Sequence, residues 1–121
     1  MRENSKLKEE FLQKGKAVSC PIIDAHAHFG PYQGTYFPQP TPEGMISSMN
    51  RAGICRLIFS SHAALIDMNR GNTLTLEICR MFPGRVYGYL SINPNYPVVI
   101  FAPHADTITA DEFVGFIYYR Q

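Results

Sequence analysis

A chain of 121 residues is long enough for one compact domain with a real core and too short for two. A composition that is 45% hydrophobic and 17% charged belongs to a folded chain and not to a disordered one. Eleven Lys and Arg against ten Asp and Glu leave a formal charge of +1, so no basic field is present to attract nucleic acid or anionic lipid.

No apolar run approaches the roughly 20 residues that cross a bilayer, and the segment from Met1 to Lys16 is charged and polar without a signal-peptide core. A cytoplasmic protein that avoids membranes is the default expectation. Cys20, Cys55 and Cys79 are odd in number, widely spaced and free of any C-x-x-C pairing, so they read as reduced thiols that pack as small hydrophobes.

In chain order, Leu7, Phe11 and Leu12 among charged residues suit a short amphipathic helix over 6–16 that Gly15 ends, making residues 1–19 an N-terminal helix or a frayed arm. Residues 20–30, Cys-Pro-Ile-Ile-Asp-Ala-His-Ala-His-Phe-Gly, then read as a short buried strand stopped by Gly30-Pro31. The Pro-rich and Gly-containing stretch from Gly30 to Pro42 is a loop, and Tyr32, Tyr36 and Phe37 make it a candidate pocket wall.

Thr41 is placed to cap the next helix, with Pro42 at its first position, Met45, Ile46, Met49 and Ala52 at helical spacing, and Gly53 at its end. A second strand follows over Ile54 to Ser61, a second helix over Leu74 to Met81, and a third strand over Val86 to Ile92, closed by Asn93-Pro94-Asn95-Tyr96-Pro97. Beyond Pro97 the stretch Val98 to Phe101 is β-like, Pro103 breaks the helix that alternation calls for, and Phe113 to Tyr119 suits a fourth strand. Strand-helix alternation with short apolar strands predicts an α/β fold: a parallel sheet with helices outside it.

The chemistry concentrates at His26 and His28. Side chains alternate along a strand, so an H-x-H pair presents two imidazoles on one face while Ala27 points away. Imidazole nitrogen suits zinc, and a catalytic zinc takes three protein ligands with a fourth position open. Two hydrogen-bonded histidines near a strand end are the plainer alternative. Asp24, two residues before His26 and by the same period on the same face, is expected to orient a histidine through its other ring nitrogen or to bond backbone, with the two roles left open.

The stretch Ile22-Ile23-Asp24-Ala25-His26-Ala27-His28-Phe29-Gly30, the loop after it, Met49-Asn50-Arg51-Ala52-Gly53-Ile54 and residues 86–97 together resemble the amidohydrolase superfamily, most closely its amidohydrolase-related branch. That resemblance covers Cys20 to about Pro97. It implies the N-terminal part of a (β/α)8 TIM barrel, with residues 20–121 as a partial barrel domain whose site lies at the C-terminal ends of its strands. It also implies a divalent metal, zinc first, on His26 and His28, and metal-activated water attacking an amide or ester, or in some members decarboxylation, of a small-molecule substrate.

An eight-stranded barrel needs about 250 residues, and this chain has room for about four strands. The expectation is a fragment or a truncated form with little activity alone, whose open strand edges favour homo-association. Two rivals are a non-catalytic half-barrel that serves binding or assembly, and a small flavodoxin-like ligand-binding domain. The second lacks a Gly-rich phosphate loop after the first strand.

Among other residues, His62 sits just past the second strand and is a candidate substrate contact, against a loop histidine bonded to backbone. His104 falls in an unassigned region. Cys79 has no base beside it and reads as core, while Asn72 and Asn93 read as turn or cap residues.

Overall fold

The structure, a computed structural model, describes residues 5–93 and 112–118. Its elements are α1 (Lys6–Lys14), β1 (Ile22–Phe29), α2 (Pro42–Ala52), β2 (Ile54–Ser61), a 3-10 turn (His62–Leu65), α3 (Met68–Met81), β3 (Val86–Ile92) and β4 (Phe113–Tyr118). The four strands form one sheet in the order β1-β2-β3-β4, and every neighbouring pair is parallel. The α/β class and the strand-helix order anticipated from the sequence are both present.

Local chemistry accounts for the boundaries. The Thr41 hydroxyl accepts from Gly44 N at 3.1 Å, Pro42 occupies the first turn of α2, and Gly53 ends the helix at φ 75°, a left-handed conformation natural to glycine. Ser5 caps α1 and Gly15 closes it. Helix α3 departs from the expectation, for it starts at Met68 rather than Leu74. Asp67 Oδ1 caps it by accepting from Arg70 N at 3.1 Å, and Gly71 and Asn72, turn-formers by type, lie inside the helix.

Tertiary contacts explain that departure. An added Cβ on Gly71 would fall within the backbone of Ala64, so only glycine lets α3 approach the 3-10 turn this closely. Asn72, 4% exposed, bonds the backbone of β3 from both ends of its amide: Nδ2 donates to Ser91 O at 3.1 Å and Oδ1 accepts from Ser91 N at 3.0 Å. The β2–β3 ladder reaches Phe59↔Gly88, and beyond it Asn72 bonds the β3 backbone at Ser91, while β4 pairs with β3 along its length.

Met49 of α2 and Ile78 and Cys79 of α3 meet Phe29, Leu57, Phe59 and Val86 in one buried cluster. Both helices therefore cover the same face of the sheet. Phe59, fully enclosed, and Ile78 each contribute about 2 kcal/mol by leaving water. Cys20, Cys55 and Cys79 are free thiols, and burial first, with the Glu112 charge second, pushes the Cys79 thiol up to about 12, as suits a core residue and not a nucleophile.

Helix α1 is tied to the approach to β1 by a carboxylate. Glu10 Oε2 accepts from Val18 N at 2.8 Å and Ser19 N at 3.0 Å, while Leu7, Phe11 and Leu12 remain exposed. The Val18 amide first, then that of Ser19, hold the Glu10 carboxyl below its ordinary value. Its contribution is therefore complete above pH about 4.5 and fades as pH falls through the lowered value. Glu10→Ala is expected to speed hydrogen exchange at the Val18 and Ser19 amides and fray α1, leaving the unfolding of the sheet nearly unchanged; unaltered exchange at both amides would contradict this anchoring.

Among the described residues, no helix is long and apolar enough to cross a membrane. The turn over Asn93 to Pro97 (from Pro94 on), the β-like stretch Val98 to Phe101, and His104 lie outside the described residues.

Candidate metal centre

Strand β1 carries the site near its C-terminal end. In the β1–β2 ladder Asp24 pairs with Leu57, Ala27 with Phe59 and His28 with Ser60, so three steps along β1 match two along β2. The extra residue is a bulge beside the histidines, a device that re-aims side chains. It also breaks the period of two: Asp24 is in register with core-facing Leu57, whereas His28 is in register with Ser60 on the other face. The expectation that Asp24 and the histidines share one face is corrected accordingly.

The Asp24 carboxylate accepts from His26 N at 3.0 Å, which is the backbone role of the two weighed from sequence. By holding the His26 amide it steadies the bulge. Opposite, the Tyr89 hydroxyl donates to Ala25 O at 3.0 Å, reaching from β3 to the other residue that the bulge leaves without a β2 partner.

His26 and His28 do converge. Their Nε2 atoms lie 3.2 Å apart with rings nearly perpendicular, at 74°. Two nitrogens at roughly 2.0–2.1 Å from one tetrahedral zinc would stand about 3.3 Å apart, so the pair fits two corners of such a site. With no ion between them, the same separation is a hydrogen bond from one ring N–H to the other ring's lone pair. Among the described residues no group of three or more His, Cys, Asp or Glu side chains is arranged to hold a metal, so the fit extends to two ligands.

His28 is held from two sides. Ser60 Oγ lies 3.2 Å from His28 Nδ1, and the His62 ring stacks on the His28 ring at 5.0 Å with only 13° between planes. Burial, followed by the charges of His62 and His26, keeps the His28 pKa below the ordinary histidine value of 6.5. A neutral ring is the form that binds metal.

His62 is both a backbone-bonded loop histidine and part of the site. Its Nδ1 is 2.9 Å from Gly30 O; because a carbonyl only accepts, that nitrogen carries a proton, which in the neutral ring puts the lone pair at Nε2. Tyr32 stacks on His62 at 4.9 Å and Phe37 meets it edge-on at 5.5 Å. The loop aromatics are thereby fixed beside the histidines as a wall, with Tyr36 exposed farther out.

Sequence reasoning missed Ser60 and Tyr89. The signal for the first was present: Ser60-Ser61 follows the apolar run Leu57-Ile58-Phe59 at the same end as the histidines, and both serines are buried. A further cavity of about 440 Å³ lies on the helix side of β1, bounded by Asp24, Phe37, Met45, Arg51 and Leu57 and touched by His28. Comparison with known proteins found no matching family model, no matching curated protein and no matching solved structure.

Proposed function

We propose that the protein is a metal-dependent hydrolase of the amidohydrolase type for a small molecule with an amide, ester or related bond, and that this chain has little activity alone, because its described residues bring two of the three protein ligands that a catalytic zinc takes. One observation carries the reading: two imidazole nitrogens 3.2 Å apart near the C-terminal end of a strand in an all-parallel sheet wound in sequence order. That order is the one the first four strands of a (β/α)8 barrel would have, and the C-terminal ends of such strands are where catalysis takes place. His26 and His28 would hold a divalent ion, zinc first by its preference for imidazole.

When bound, such an ion supplies Lewis acidity, acidifying water and polarising a carbonyl. The chain's own residues do the rest. Asp24 and Tyr89 hold the bulge backbone that aims His26, Ser60 and His62 hold the His28 ring, and Tyr32, Phe37 and His62 form a wall against which a substrate can lie. A cytoplasmic setting belongs to the same proposal.

The test is elemental analysis of purified protein and of a His26→Ala, His28→Ala double variant, with molecular size measured alongside. Near-stoichiometric zinc in the parent and none in the variant is the expected result; equal metal in both would overturn the proposal.

A second reading, a half-barrel module for binding or assembly, draws on Ile23 at 54% exposure on the edge strand β1, which has no pairing partner on its outer side among the described residues. A metal-free, well-defined homodimer in the size measurement would favour it.

A further inference from the structure

We propose that Ser60 is a positioning residue for this centre: its hydroxyl accepts the Nδ1 proton of His28, which leaves the Nε2 lone pair of that ring facing His26. The inference rests on the metal reading above and assigns to one side chain the choice of which His28 nitrogen is free to bind.

The geometry singles out Ser60. It is the register partner of His28 across β1 and β2, it is fully buried at 0% exposure, and its Oγ lies 3.2 Å from Nδ1. A hydroxyl can donate or accept, and an accepting Ser60 confines the His28 proton to Nδ1 and leaves the lone pair at the ring's other nitrogen. There the ring meets His26 Nε2 at 3.2 Å. A metal between the two Nε2 atoms requires a lone pair from each ring, and His28 then has its only proton at Nδ1, with Ser60 as acceptor.

Without metal the same arrangement is satisfied when His26 Nε2–H donates to His28 Nε2. His62 provides the parallel case one strand-end away. Gly30 O fixes its proton on Nδ1, and its ring, stacked on His28, keeps the His28 plane from turning out of line with Ser60. The sheet thus sets the His28 tautomer before any ion arrives, a pre-organisation that raises the affinity of imidazole sites.

Two measurements on the full chain test this. Long-range proton–nitrogen correlation spectra of metal-free protein should show His28 protonated at Nδ1. Titration with Zn²⁺ should give roughly 10- to 100-fold weaker binding in Ser60→Ala, the loss typical of removing an orienting partner, with recovery in Ser60→Thr and an unchanged far-ultraviolet circular dichroism spectrum in each. A His28 proton at Nε2 in the parent, or equal Zn²⁺ affinity in parent and Ser60→Ala, would overturn this inference alone. Parent protein that takes up no Zn²⁺ would overturn the metal reading and this inference with it.

Discussion

Replacing Asn72 with alanine is expected to lower the stability of the protein by about 3 kcal/mol or more, a loss read as a fall in the urea midpoint. The side chain is buried and its amide answers both backbone polar groups of Ser91, at 3.1 and 3.0 Å. Alanine leaves the Ser91 N–H and C=O enclosed without those partners, and each buried group stranded in this way costs about 1–3 kcal/mol. Asn72→Asp would not rescue it, because a carboxylate can accept from Ser91 N but turns negative charge toward Ser91 O. A midpoint within experimental error of the parent for Asn72→Ala would show that the clasp contributes nothing net.

Gly71→Ala should destabilise by about 2 kcal/mol, opposite in sign to the usual effect of that exchange within a helix. Alanine is about 1 kcal/mol the better helix-former. Here a methyl group would meet the backbone N and Cα and the side chain of Ala64, atoms that cannot swing aside, so overpacking falls at the upper end of its usual range, about 3 kcal/mol, and leaves a net loss of about 2 kcal/mol. The expected consequence is a displaced 3-10 turn, and with it a displaced His62, so the stacking of His62 on His28 should loosen as well. A variant as stable as the parent, or more stable, would contradict the close approach of α3 to Ala64.

These two residues also mark where the sequence could and could not be read. Strands β1 to β3 and helix α2 follow from local chemistry: apolar β-branched runs, Thr41 and Pro42 at a helix start, Gly53 at its end. The start of α3 could not be placed that way. Gly71 and Asn72 oppose a helix by propensity and are retained because of Ala64 and Ser91, which lie in other elements. A tertiary contact overrides propensity there, and one sequence carries no record of it.

The site divides along the same line. The pairing of His26 with His28 needs only the period of two along a strand, and it is visible in the H-x-H spacing. Asp24 was assigned to the same face by that period, and the bulge between Asp24 and Ala27 removed it; a bulge depends on the ladder with β2 and the Tyr89 hydroxyl bond, both distant in sequence. Ser60 reaches His28 across 32 residues of chain, so its role emerges only once the strands are in register.

The central claim, that His26 and His28 together ligate one ion, is tested most directly by X-ray absorption at the zinc edge of the zinc-loaded protein. The expected result is a first shell containing two imidazole nitrogens at roughly 2.0–2.1 Å, reduced to one in His26→Ala. A shell of oxygen alone, or one that His26→Ala leaves unchanged, would contradict the account.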